Sequence, residues 1–149
     1  MTQAEDAQAR IVVGVDGSSS SKDALSWAAR QAQSTGASLE VVTTWEWPIS
    51  FGWVPPYPQG YDPEADAKKA LDETVAEVLG PSPAVKVRTQ VVEGHPAPVL
   101  VELSKGAELL VVGSRGHGEF AGMLIGSVSE HCVTNAHCPV VVLRPTHGG

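Results

Sequence analysis

Short runs of apolar, β-branched residues alternate along this chain with stretches in which apolar positions return every three to four residues. Residues 11–15 (IVVGV) are continuously apolar, as in a parallel strand covered on both faces, and the run ends at Asp16-Gly17. The serines at 18–21 offer N-caps for a helix to about Thr35, with Ala24, Leu25, Ala28, Ala29 and Ala32 on one face and Gly36 as its stop. Residues 39–44 (LEVVTT) predict the second strand. Residues 45–61 follow as a long aromatic loop, since Pro48, Pro55, Pro56 and Pro58 forbid a regular helix. From about Pro63 a helix resumes, with Ala67, Leu71, Val75 and Val78 on one stripe and Gly80-Pro81 ending it. Val85, Val87, Thr89 and Val91 alternate with polar residues and predict an edge strand with one wetter face. Gly94-His95-Pro96 turns the chain into a short helix, predicted to bury Val99, Leu100 and Leu103 and to stop at Gly106. A buried strand over 109–112, a helix from Ser127 to about Ala136 and a last strand over 140–143 complete the series.

Strands alternating with helices predict an α/β protein: a single doubly wound domain, a five-stranded parallel sheet with helices on both faces and right-handed crossovers. If growth reverses between the first and fourth strands, the order is 3-2-1-4-5. Ligands of such sheets sit outside the carboxyl ends of the strands, at the reversal. Asp16 and Gly113 would then form the two lips of one crevice. The expected boundaries are a disordered lead over 1–9, the domain over 10–145 and a tail over 146–149.

The 149 residues suit one domain, and the net charge of −7 argues against non-specific nucleic-acid binding. No apolar run approaches the roughly 20 residues of a membrane span, and the polar start MTQAEDAQAR lacks the apolar segment of a signal peptide. The expectation is a cytoplasmic protein without membrane contact. Cys132 and Cys138 are too few for a disulfide scaffold.

The chemistry concentrates after the fourth strand, where Gly113 and Gly116 are followed, after nine intervening residues, by Gly126-Ser127. Glycines at a strand end and a helix start let main-chain N–H groups approach an anion, and a helix N-terminus adds unpaired donors. A P-loop is excluded because no lysine follows Lys105. Gly116, Gly118 and Ala121 fit G-x-G-x-x-A, but no helical pattern opens at once and too little chain follows for a dinucleotide fold.

The longer spacing resembles the ATP-binding signature of the universal stress protein family. The stretches IVVGVDGSSSS, VVEGHPAPVLVELSKGAELLVVGSRG and GSVSEHCVTNAHCPVVVLRP are similar to that family as well. The resemblance implies that Asp16 contacts the nucleoside, with Gly14 and Val15 beside it, and that the main chain near Thr44 meets adenine. It assigns Val112, Gly113, Arg115, Gly116, Gly126, Ser127 and Val128 to ribose and phosphates, with Ser129 as an extra hydroxyl donor. The residues themselves are compatible with those roles: Asp16 accepts, Gly113 and Gly116 expose amides, Ser127 caps its helix and donates, and Arg115 offsets phosphate charge. Any metal would be Mg²⁺ arriving with the nucleotide.

Plainer roles stand beside these: an Asx turn at Asp16, an N-cap at Gly126-Ser127, a solvated Arg115, an ordinary strand residue at Thr44. The pairs His131-Cys132 and His137-Cys138 invite a metal site, but they lie nearly two helical turns apart, and no metal ligand set is expected. His117 near Ser127 lacks an oxyanion hole or general-base arrangement, so no catalytic residue is expected. The aromatic loop packs on its own helix or a partner in preference to stacking on a base at Trp45 or Trp47. The resulting expectation is a non-enzymatic binder of ATP or a related adenine nucleotide, acting as a sensor of stress. Homodimerisation through the apolar last strand, Val140–Leu143, would cover a sheet edge. The alternatives are a slow ATP hydrolase and a nucleotide-free interaction module.

Overall fold

The computed structural model describes residues 9–47, 52, 56–115 and 125–144. The expected lead and tail fall largely outside these residues, as do Gly116, His117 and part of the aromatic loop. The chain runs β1 (Arg10–Gly14), α1 (Ser19–Thr35), β2 (Ser38–Trp45), α2 (Pro63–Leu79), β3 (Val87–Glu93), α3 (Pro96–Leu103), β4 (Leu109–Gly113), α4 (Ser127–Asn135), β5 (Val140–Leu143). All strand pairs are parallel, in the order β3-β2-β1-β4-β5.

The sheet's alternation sorts its side chains into two cores. Ile11, Val13, Leu39, Val41 and Val111 face Leu25 and Ala28 of α1 and Leu71 of α2. Val12, Val42, Leu110 and Val112 face Leu100 of α3 and Cys132 of α4. The central strands β1 and β4 are apolar on both sides because both sides are covered. Helix α1 starts where the Ser18 side chain accepts the N–H of Ser21 and stops at Gly36, whose φ of +79° suits glycine. At the amino ends of the strands, the Arg10 guanidinium pairs with Glu40 at 2.9 Å and donates to the carbonyls of Leu103 and Lys105, closing the C-terminal end of α3.

Two expectations need correction. The strand expected over Val85 to Val91 sits two residues later, because pairing to β2 sets Leu39 opposite Val87 and carries on to Trp45 opposite Glu93. In α3 only Leu100 is buried, whereas Val99 and Leu103 remain half-exposed in so short a helix.

Candidate functional site

The growth direction reverses between β1 and β4, so the connections leaving their carboxyl ends diverge and open a crevice. A cavity of about 270 Å³ lies there. Gly14, Val15 and Asp16 line it from β1, and Val112, Gly113 and Arg115 from β4. Thr44 of β2 and Val128 and Ser129 of α4 complete the expected group. Gly126 and Ser127 are not part of the lining, and Gly116 lies outside the described residues.

The β2 side is built by strand alternation. The Leu39 N–H donates to the Lys86 carbonyl and the Gly94 N–H to that of Trp45, so odd positions of β2 bond to β3. Even positions face β1, as the bond from the Val15 N–H to the Val42 carbonyl shows. β1 ends its pairing at Gly14 opposite Val42. The N–H and C=O of Thr44 therefore project past the end of β1, on the side where the cavity lies.

Asp16 is exposed on the lip, and its Oδ1 accepts the Ser18 N–H at 2.9 Å. That Asx turn, the plainer role, coexists with its place in the cavity wall. The Asp16 N–H donates to Ser21 Oγ at 3.3 Å, which ties the lip to the first turn of α1.

On the β4 side, three sequence-derived roles change. A Cβ on Gly113 would lie 2.7 Å from the Ser20 carbonyl carbon, so glycine is required there by close packing of α1 on β4. The Gly113 carbonyl accepts the Ser129 hydroxyl, and Ser129 is only 3% exposed. A hydroxyl carries one proton, so Ser129 offers a ligand its lone pairs and not a donor. The N-cap of α4 is Gly126 and not Ser127, which is the first helical residue and makes no cap. With no side-chain cap, the N–H groups of the first turn of α4 point toward the cavity end of the helix without intrahelical partners. Arg115 is the cation among the described lining residues.

Sequence reasoning missed one wall. Ala67, Ala70, Leu71 and Thr74 of α2 roof the cavity over Thr43, and Pro96 and Leu100 of α3 close the other face. The stripe on α2 was legible, but a stripe reads the same whether it covers a core or roofs a cavity.

The aromatic residues that are described pack on one another. Trp47 lies 5.9 Å from Trp45 and 5.7 Å from Tyr57, and Tyr57 stacks on Tyr61 at 4.7 Å. None of the four lines the cavity. Glu46, between the two tryptophans, meets His95 Nδ1 at 3.0 Å, joining the end of β2 to the start of α3. Among the described residues no cluster of His, Cys, Asp and Glu could hold a metal, and no helix is long and apolar enough to cross a membrane.

Comparison with known proteins places these features in a family. A universal stress protein from Mycolicibacterium smegmatis is 38% identical over 143 residues, covering 95% of this chain and 48% of its own length. The chain thus spans about half the length of the curated relatives it matches. Universal stress protein UspA from Lactobacillus plantarum superposes with a TM-score of 0.73 at 23% identity, covering 91% of this chain and 97% of that one, and shares its fold. A universal stress protein solved in complex with cAMP superposes with a TM-score of 0.59 at 28% identity, covering 93% and 98%. The model of the universal stress protein family matches residues 9–144, and the chain belongs to that family.

Proposed function

We propose that this domain binds an adenine nucleotide in the crevice between β1 and β4 and acts in the cytoplasm as a nucleotide-responsive regulator. The observation that carries this reading is the Thr44 main chain, whose N–H and C=O face the cavity beyond the end of β1. A donor and an acceptor side by side complement the N1 and N6 positions of adenine. At the opposite lip, the uncapped first turn of α4 and Arg115 suit a phosphate group. The cAMP complex of the 28% identical relative supports an adenine nucleotide as the class of ligand. ATP and its Mg²⁺ are the fuller form of the proposal. The nucleotide's phosphates and water would supply most of the metal's ligands.

A binder fits this lining better than a hydrolase. Asp16 is its described carboxylate, and that group is engaged with the Ser18 amide. Occupancy would act by biasing the segment between Gly113 and Gly126, or a homodimer formed along β5. The β5 edge is apolar and half-exposed, which favours pairing with a second copy. Calorimetric titration with ATP, AMP and cAMP tests the proposal. Saturable binding that weakens in Arg115→Ala for ATP and AMP supports it, and a folded protein giving no heat at millimolar nucleotide overturns it.

A further inference from the structure

The cavity has an inner wing that the nucleotide reading leaves unassigned. It lies on the α2 face of the sheet, where Thr43 follows Leu39 and Val41 along β2 and α2 contributes Ala67, Ala70, Leu71 and Thr74. This wing is apolar except for the two threonine hydroxyls. Thr74 is 7% exposed, yet its hydroxyl makes no hydrogen bond among the described residues. A threonine inside a helix ordinarily turns its hydroxyl back to the carbonyl four residues earlier. Thr74 does not. Among the described residues no fully enclosed side-chain oxygen lacks a partner, so the Thr74 oxygen is in touch with the cavity space. Thr43, half-buried on the facing strand, likewise has no hydrogen-bond partner among the described residues.

Because the Thr74 oxygen is open to the cavity, water can bond it while the wing is empty, but a ligand that displaces that water must offer a partner in its place or leave the hydroxyl unpaired. A ligand atom that bonds the hydroxyl meets that requirement, and an apolar one does not. Resting on the nucleotide reading, we infer that Thr74, with Thr43 beside it, hydrogen-bonds a nitrogen of the purine base and makes the α2 wing a base-selective compartment. The adjoining Thr44 main chain takes one edge of the ring, and the threonine hydroxyls take another. Ala67 and Ala70, both small, line the wing beside the threonines. A site built to hydrogen-bond a ligand atom rejects analogues lacking it, because the buried group is then left unpaired.

The test is a cycle of protein and ligand changes. Wild type, Thr74→Val and Thr74→Ser are titrated with AMP and with four analogues: 1-deaza, 3-deaza and 7-deaza AMP, and the purine riboside monophosphate that lacks the 6-amino group. AMP should bind Thr74→Val roughly tenfold more weakly, with Thr74→Ser near wild type. For one analogue, wild type should show a similar loss and Thr74→Val no further loss. Without ligand, Thr74→Val should melt at or above the wild-type temperature. Should that variant fail to fold, Thr43→Val carries the same cycle. Equal losses for all four analogues in wild type and variant, or a lower melting temperature with unchanged AMP affinity, overturn the inference and leave nucleotide binding standing. Absence of AMP binding in folded wild type overturns both.

Discussion

The Ser129 hydroxyl donates to the carbonyl of Gly113, sixteen residues earlier, and so fastens the first turn of α4 to the end of β4. The Gly126 N–H donates to the Ser114 carbonyl beside it, and the Ser114 N–H donates to Leu143 of β5. These bonds join Ser114 to Gly126 and both to the sheet.

Replacing Ser129 with alanine leaves the Gly113 carbonyl without this partner. The expected cost is about 1–3 kcal/mol of stability, measured by urea unfolding. Phosphate-bearing ligands should also bind more weakly, because the α4 turn loses its tie to the lip of the cavity. Unchanged stability would mean that the bond carries no weight in solution.

Gly113 is a packing position. Gly113→Val should lower stability by several kcal/mol or prevent folding, since the added carbon meets the Ser20 backbone and backbone cannot step aside as a flexible side chain can. At Gly14 the same added carbon meets only the Leu100 side chain, at 2.8 Å, so Gly14→Ala should fold with a milder loss. Comparing the two melting curves checks the contrast. Lost ligand binding in Gly113→Val therefore says nothing about phosphate unless the variant is shown to be folded.

Trp47 and Trp45 lie outside the cavity wall and pack on each other, and Trp47 packs on Tyr57 and Tyr61 as well. Trp47, 41% exposed, is the more accessible of the two. Trp47→Ala should change nucleotide affinity by less than about twofold, because truncating a residue that does not touch the ligand removes no ligand contact. A tenfold loss in calorimetry would place the ring on the ligand after all.

Burial pushes the Cys132 thiol up to about 11 from its usual 9.0. The folded state keeps this proton at a pH where the unfolded chain has released it, so stability falls as pH rises. The contribution is whole below about pH 9 and is lost between about 9 and 11. Melting temperature should drop less between pH 8 and pH 10.5 in Cys132→Ala than in wild type. At neutral pH, native protein should react with a thiol reagent at Cys132 only as fast as it unfolds. Equal pH slopes in both proteins would contradict this.

How much of the fold was legible depended on how many neighbours a segment had. The runs around Val12 and Val111, covered on both faces, were continuous enough to read as central strands within one residue of their ends. β3, with one neighbour and a half-exposed face, took its register from β2, and its own alternation could not supply that. The crevice residues of β1 and β4 were legible because a strand end followed by glycine has few physical readings. The Thr74 wing was not legible, because threonine on a helical stripe gives no sign of whether its hydroxyl turns back to the helix or toward a cavity. Ser129 and Gly113 do line the cavity, but the bond between them, which takes the Ser129 proton, could not be read from the sequence.

In the proposed complex adenine meets the main chain of Thr44 while a phosphate sits at the first turn of α4. Amide chemical-shift mapping of isotopically labelled protein during an AMP titration tests it most directly. Saturable shifts are expected, largest at the amides of Thr44 and Val128, with β3 and the Arg10 end of the sheet unchanged. Shifts confined to surfaces away from the β1–β4 crevice, or none at millimolar AMP, would contradict it.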